Sequence, residues 1–287
     1  MDILLNNCSL TGQYASPDDF ANNGLKSIIE QLKTAYSLDD IVVLKNYDFY
    51  NSRITPEYTL REILINPKIA RINDTIRKYK SLLDRSCESP FWEDSKKHDS
   101  DMFYQFNDNI VTNTCLAEAC ERDKLLFSFK PSYFEDHTIY IIKDKTTNIE
   151  LNNFTANPDF IEHLYNLKKI DFENYIILMF SKSKLDFSNI VNQKKYYIKK
   201  IPHEVQHEFV DSFKTFSELT WTAIGNHKGL RFKPYLLNKA NRSYFVGYEG
   251  LSIYEFRASK KFRCFGYKNE DKFYLIYIDL EHRLGDL

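Results

Sequence analysis

Four basic side chains in the last quarter of the chain, Arg257, Arg263, His282 and Arg283, are of the types that handle a phosphodiester. Guanidinium groups grip phosphate oxygens through paired N–H donors, and an imidazole moves protons near neutral pH. Lys260 and Lys261 lie between the first two arginines, and Phe265, Tyr267 and Tyr277 are interleaved with them. Arginine among aromatic rings suits a single-stranded polynucleotide, whose bases stack while its phosphates are held. A different chemistry is spelled by HEVQH at 203–207, the pattern in which two histidines one helical turn apart bind zinc and the intervening glutamate activates water. His203, Glu204 and His207 are its candidate residues, and by helical count both imidazoles point away from the stripe of Phe209 and Phe213. Glu218 lies about 16 Å beyond His207 at 1.5 Å per residue, too far for a third ligand, so an off-helix carboxylate such as Glu249 would have to serve. The charged neighbours Lys199, Lys200 and Glu208 make two solvent-facing histidines the plainer reading.

Weaker candidates lie elsewhere. His227, Lys228 and Arg231 line a phosphate path or form a solvated loop. Glu118, Glu121 and Arg122 have the spacing of surface pairs on a helix. Cys115 and Cys120 read as small buried residues, and Trp92 as a plug at a core edge.

The elements that must position these residues fall into two groups. Residues 1–165 alternate strand-like and helix-like signals: a strand in DILLNNCSL, a helix from Pro17 to Tyr36 opened by Ser16, a strand in DIVVLKN, and a helix capped by Thr55 and ending near Pro67. A helical stripe follows over 69–83, then a solvated charged loop at 93–101. A helix capped by Asn113 or Thr114 feeds a strand at 125–129, and TIYIIKD and NIELNNF form a hairpin-like pair ahead of the helix PDFIEHLYNLKKI. Neither a phosphate-binding glycine loop nor a nucleophile elbow occurs in this half.

The polar stretch 181–195 suggests a boundary, giving domains at 1–185 and 190–287. Beyond it come a short strand in YYIKKI and a helix begun by Pro202, with Val205, Phe209, Phe213, Phe216 and Ala223 on one stripe. Then come a short FKPYLL and the strands SYFVGY, LSIYEFRAS, KKFRCFGY and KFYLIYIDL in an antiparallel meander. Two-residue alternation sets Glu255 and Arg257 against Tyr254 and Phe256, Arg263, Phe265 and Tyr267 against Phe262 and Cys264, and Phe273, Leu275, Tyr277 and Asp279 against Tyr274, Ile276, Ile278 and Leu280. One sheet face would cover the helix and the other would carry arginines among aromatics. That face is either open to RNA or buried against another surface, because apolar runs on both faces usually mean a sheet covered twice.

Composition narrows the classes. With 39 Lys+Arg against 40 Asp+Glu, no overall field draws in polyanions, so any such site is local. The 22 Phe and 20 Tyr beside 8 Gly and 8 Pro argue for a packed globular protein. Five scattered cysteines, none in a CxxC pair, suggest neither a disulfide framework nor a thiolate zinc site. MDILLNNCSL lacks a basic leader region and no stretch approaches spanning length, so a cytoplasmic protein with no membrane partner is expected.

The order strand, helices, meander, with Phe256-Arg257, Phe262-Arg263 and a final Glu281-His282-Arg283, resembles the RelE/ParE-like toxin family over residues 194–287. Its members commonly show an LR strand, a YR strand and a last strand ending in a GHR-like triplet. With the mixed α/β pattern of the first part, the chain is expected to be α+β, and the resemblance implies that a RelE-like module follows that first domain and acts as an endoribonuclease or translation inhibitor needing no metal or other cofactor. In such enzymes the ribose 2′-hydroxyl attacks the adjacent phosphorus while basic side chains move protons and offset charge. Arg257 and Arg263 would hold the phosphate, His282 would carry the proton and Arg283 would add charge. Lys260 and Lys261 would be further phosphate contacts or substitutes for the base. Partners would be RNA or the ribosome, with an antitoxin or phage-derived protein in control and the N-terminal domain as sensor or restraint. The chain departs from the family at Glu281, where a small residue is usual, and Asp279 and Glu255 lie near the arginines. The other class left open is a non-enzymatic module whose aromatic sheet face docks a protein.

Overall fold

Strand β1 (Asp2–Leu5) lies between two parallel neighbours, β2 (Val42–Leu44) and β5 (Leu125–Phe127), in the computed structural model. The structure describes residues 1–66, 68–69, 74–180, 182–191 and 198–284. Ile3, Leu4 and Leu5 are buried, as a strand covered on both faces requires. The chain is α+β and divides into two compact units, Met1–Phe160 and Ile161–Leu287, each with helices and its own sheet. That division falls inside the helix Asn157–Asn166, ahead of the one expected near 185–190. Among the described residues no helix is long and apolar enough to cross a membrane.

The first unit holds a seven-stranded sheet in the order β2-β1-β5-β7-β6-β3-β4. β7 (Thr147–Phe154) runs parallel to β5, and β6 (Thr138–Lys143), β3 (Tyr104–Phe106) and β4 (Asn109–Ile110) continue antiparallel. The helical run from Pro17 to Tyr36 forms as expected, with Ser16 accepting the Asp19 N–H at 3.1 Å. Its middle, Phe20–Leu25, is a π turn where Gly24 passes so close to Tyr14 that a Cβ would overlap the phenol hydroxyl. Thr59 caps the next helix, Leu60–Ile65, in a reciprocal box with Glu62. Thr55, the expected cap, instead accepts the N–H groups of Glu57 and Tyr58 in a turn. Residues 70–73 of the expected 69–83 stripe lie outside the described residues, and Asp74–Ser86 is helical.

The 93–101 loop is not wholly solvated, because His98 is buried and anchors it. Its Nδ1 lies 2.6 Å from Glu118 and its Nε2 3.1 Å from Asn113 Oδ1, while Glu118 also accepts the N–H groups of Lys97 and His98. Arg122 closes the network by donating to Glu118 at 2.5 Å and to Asp2 at 2.7 Å. Glu118 and Arg122 are therefore interior partners, not surface pairs. Trp92 is buried beside His98, at 5.4 Å between rings, as a core plug should be.

The second unit is built on a five-stranded sheet ordered β8-β12-β11-β10-β9. β10 (Ile253–Arg257), β11 (Arg263–Asn269) and β12 (Lys272–Asp279) form the expected meander, with β9 (Lys233–Pro234) at one edge. At the other edge β8 (Leu185–Asp186) runs parallel to β12. The expected YYIKKI strand is not seen where it is described: Ile198–Lys200 is a 3₁₀ turn, and residues 196 and 197 lie outside the described residues. One face of the sheet packs on the Gln206–Glu218 helix, whose Phe209, Phe213 and Phe216 are fully buried and meet Phe256, Phe262 and Phe273 at 4.7–6.1 Å between rings. A bulge between Phe265 and Gly266 changes the pairing from Phe265↔Tyr277 to Gly266↔Leu275. It reverses the alternation of β12, so Phe273 joins the helix side whereas Tyr277 faces the other way. A side chain at Gly266 would run into the Tyr274 carbonyl, which is why glycine stands there.

The opposite face is covered from within the same unit. SYFVGY, expected as a strand, begins within the 3₁₀ turn Arg242–Phe245, which lays Phe245 and Tyr244 on the sheet together with Tyr235, Leu237 and Tyr248. Beneath them Phe265 is 0 % and Tyr277 3 % exposed.

Candidate functional site

Register puts Arg257 directly opposite Arg263, and Arg263 opposite Asp279, so the two arginines share a face as alternation requires. The rest of the expected constellation does not gather around them. His282 is exposed and stacks on Phe262 at 5.8 Å, the ring that meets Phe209 on the helix side of the sheet. Arg283 is ion-paired with Glu281, and its hydrogen bond with Tyr244, with Glu281 alongside, raises its affinity for its proton. Asp279 is buried and accepts the N–H groups of Glu281, Arg283 and Leu284, so this carboxylate folds the turn that follows the strand. Phe265 and Tyr277 are sealed under the 235–248 segment and offer no platform to a base; Tyr267 is half-buried, stacked on Tyr274 at 5.1 Å. That covering also removes the aromatic face as a docking surface for a protein.

The HEVQH pattern is interrupted. His203, Glu204 and Val205 form a 3₁₀ turn, and the α-helix begins at Gln206, so the two histidines straddle a junction. Both line a cavity of about 330 Å³ with Glu162 and Asp211, walled by Tyr165, which stacks on Tyr175 at 4.6 Å. Among the described residues no three His, Cys, Asp or Glu side chains converge where a metal ion could sit. The zinc-peptidase reading loses both the continuous helix and the third ligand it needs.

Chemistry-bearing groups do converge at a second cleft of about 330 Å³, between the Gln206–Glu218 helix, the turn after the Trp221–Asn226 helix and the β10–β11 corner. Arg257, Lys260 and His227 line it together with Glu208, Asp211 and the hydroxyl residues Ser212, Thr215 and Ser259. Thr220 caps the Trp221–Asn226 helix by accepting the Ala223 N–H at 3.3 Å, which sets the start of the turn. The turn then closes on His227: its carbonyl accepts from Arg231 at 3.1 Å and its Nδ1 accepts the Leu230 N–H at 3.1 Å. The Leu230 carbonyl in turn accepts the Arg257 N–H at 2.6 Å, and the Arg257 carbonyl accepts from Ser212 Oγ at 3.2 Å. Glu208 receives the Lys260 backbone N–H at 2.8 Å. Helix, turn and hairpin corner are thus stitched together around the cleft by one main-chain bond and by the Ser212 and Glu208 side chains bonded to the main chain of the corner.

Of the residues expected from sequence, Arg257, Lys260 and His227 are in this cleft, whereas Arg263, Lys261, His282, Arg283, Lys228 and Arg231 are not among its lining residues. Lys261 lies with its ammonium 5.8 Å from the Phe262 ring. Glu208 and Asp211 were not candidates. Their signal was the polar stripe 208, 211, 212, 215 opposite the phenylalanines, at helical spacing.

The carboxyl ends of the parallel strands in the first unit, where open α/β sheets bind ligands, are filled by a closed polar network. Asn6 donates to Ser128 Oγ at 2.8 Å, Ser128 to Asn153 Oδ1 at 2.6 Å, and Asn153 to the carbonyls of Phe134 and Asp136. Cys115 donates to Asn6 Oδ1 at 3.3 Å and lies beside Cys8.

No protein-family model, curated protein or solved structure matches this chain.

Proposed function

We propose that the second unit is a toxin-type endoribonuclease that cuts RNA without a metal, at the cleft shared by Arg257, Lys260, His227, Glu208 and Asp211. The observation that carries the reading is the hydrogen bond from the Leu230 N–H to His227 Nδ1. A nitrogen that accepts is unprotonated, so the neutral ring carries its proton on Nε2 and can offer that N–H as a hydrogen-bond donor to a phosphate oxygen. Glu208 or Asp211 would take the proton from the ribose 2′-hydroxyl, whose oxygen then attacks phosphorus. Arg257 and the Nε2–H of His227 would offset the charge gathering on the phosphorane. The Lys260 ammonium would protonate the 5′-oxygen as the P–O bond breaks, leaving a 2′,3′-cyclic phosphate and a 5′-hydroxyl. In this reading the target is RNA, free or on the ribosome, and an antitoxin or phage-derived protein is the controlling partner of a defence or toxin–antitoxin system.

The test uses the whole chain with labelled RNA in excess EDTA. Fragments ending in cyclic phosphate are expected, with the rate falling by about 10²–10³-fold in His227→Ala and at least as far in Arg257→Ala. Wild-type rates in both variants, or 3′-hydroxyl ends, refute the proposal.

A further inference from the structure

We propose that Cys8 and Cys115 form a thiol pair that hydroperoxides convert to a disulfide within the first unit. Their sulfurs lie 4.0 Å apart although 107 residues separate them in sequence. Cys8 stands in the 3₁₀ turn Asn7–Ser9 that leaves β1, and Cys115 opens the helix Cys115–Cys120. Both backbones are held: the Asn6 N–H donates to the Phe127 carbonyl at 2.8 Å, Leu10 to Asn7 at 3.0 Å, and the Leu116 N–H to Thr114 Oγ1 at 3.2 Å. Bringing the sulfurs to the bonded distance of about 2.05 Å therefore asks chiefly for turning the two thiols toward each other.

The two members are unequal in the way a peroxide reaction needs. Cys8 is half-buried, within reach of a small oxidant, whereas Cys115 is sealed. The Cys115 S–H, when it turns from Asn6 Oδ1 to bond the Cys8 sulfur, and Thr114 beside it lower the Cys8 thiol pKa, so Cys8 is the readier thiolate. The same bond and burial push Cys115 well up, leaving it the protonated partner. Elsewhere, burial holds Cys120 up at about 12 and Cys264 well above the ordinary thiol range. The Cys8 thiolate attacks a peroxide oxygen, forming S–O as O–O breaks and the departing oxygen leaves as hydroxide. Cys115 sulfur then attacks Cys8 sulfur, forming S–S as S–O breaks, and its proton leaves with the oxygen as water. Two thiols lose two electrons and hydrogen peroxide gains them, giving two waters.

Reduced whole-chain protein should be exposed to a few equivalents of hydrogen peroxide, alkylated, and digested without reductant. Two of the five thiols should disappear, a peptide joining Cys8 to Cys115 should appear two hydrogens lighter than its parts, and dithiothreitol should restore both. Cys115→Ser should instead accumulate a sulfenic acid at Cys8 that dimedone traps, and Cys8→Ser should lose no thiol pair. Peptide mapping of the wild-type protein needs no variant to fold. Oxidation falling on Cys87 while Cys8 and Cys115 remain reduced, or loss of both thiols into separate higher oxides, overturns the proposal.

Discussion

Phe245→Ala probes the segment that covers the sheet, and its size can be worked from contacts. The Phe245 ring is fully buried, 5.8 Å from Phe265, 5.9 Å from Tyr235 and 6.3 Å from Tyr277. An aromatic side chain buries about 150–250 Å², which at about 25 cal/mol per Å² corresponds to about 4–6 kcal/mol. Core Phe→Ala substitutions cost about 3–5 kcal/mol, and the lower end applies here because a 3₁₀ turn can settle into the space. Urea unfolding followed by circular dichroism should show a midpoint shift of that order, with the slope unchanged if the native state stays closed. Cleavage of RNA per folded molecule should remain at the wild-type rate, because Phe245 does not line the cleft at Arg257 and His227. A loss below about 1 kcal/mol would mean that the cover is not packed as described, since truncating a fully buried ring should cost several times that. A gain in RNA affinity or cleavage would move the site from the cleft to the exposed sheet face.

Two further outcomes follow from individual side chains. Burial lowers the Lys45 ammonium to about 8 from 10.5. Below pH 8 both folded and unfolded chains carry the proton and the native state bears the full penalty, whereas between 8 and 10.5 the unfolded chain keeps a proton the native chain has lost. Stability from this group therefore rises with pH across that window by about 3 kcal/mol. Lys45→Met should be more stable than wild type at pH 7 by an amount of that order, and an advantage that fails to shrink toward pH 10 in urea unfolding refutes this. At the cleft, a Cβ on Gly229 would stand 3.0 Å from His227 Cε1 and 3.3 Å from Nδ1, so Gly229→Ala should displace the ring. RNA cleavage should drop about tenfold or more while thermal stability stays within about 0.5 kcal/mol of wild type, as for an exposed substitution; unchanged cleavage removes His227 from the chemistry.

Much of the scaffold could be read from local pattern. Phe209, Phe213 and Phe216 recur at helical spacing and pack where that spacing sends them, and a two-residue period across a short corner sets Arg257 opposite Arg263. What escaped depended on partners far away in sequence. His98 looked like part of a solvated charged loop, and its burial comes from Glu118, 20 residues on. The alternation of SYFVGY fits a strand as well as it fits a turn laid across a sheet, and the apolar surface beneath it decides between them. Gly266 was the visible trace of the bulge, a glycine inside a strand pattern, and missing it grouped Phe273 and Leu275 with Tyr277 on one side of their strand. For the cleft, Arg257 and Lys260 were legible as basic residues at a hairpin corner. The companionship of Glu208 and His227 required a helix, a turn and a sheet to be assembled first.

The pairing of β8 with β12 bears on how this protein can be cut into pieces for study. Leu185 and Asp186 sit against Phe273 and Tyr274, and Leu185 is wholly buried there. A fragment starting at residue 190 would strip that neighbour away and leave the longest strand of the unit with an open, aromatic-rich border, inviting self-association. Toxicity trials on so short a piece would report insolubility as innocence. Expression boundaries are better drawn ahead of Asn157, so that the helix spanning the division stays whole and every strand keeps its mate.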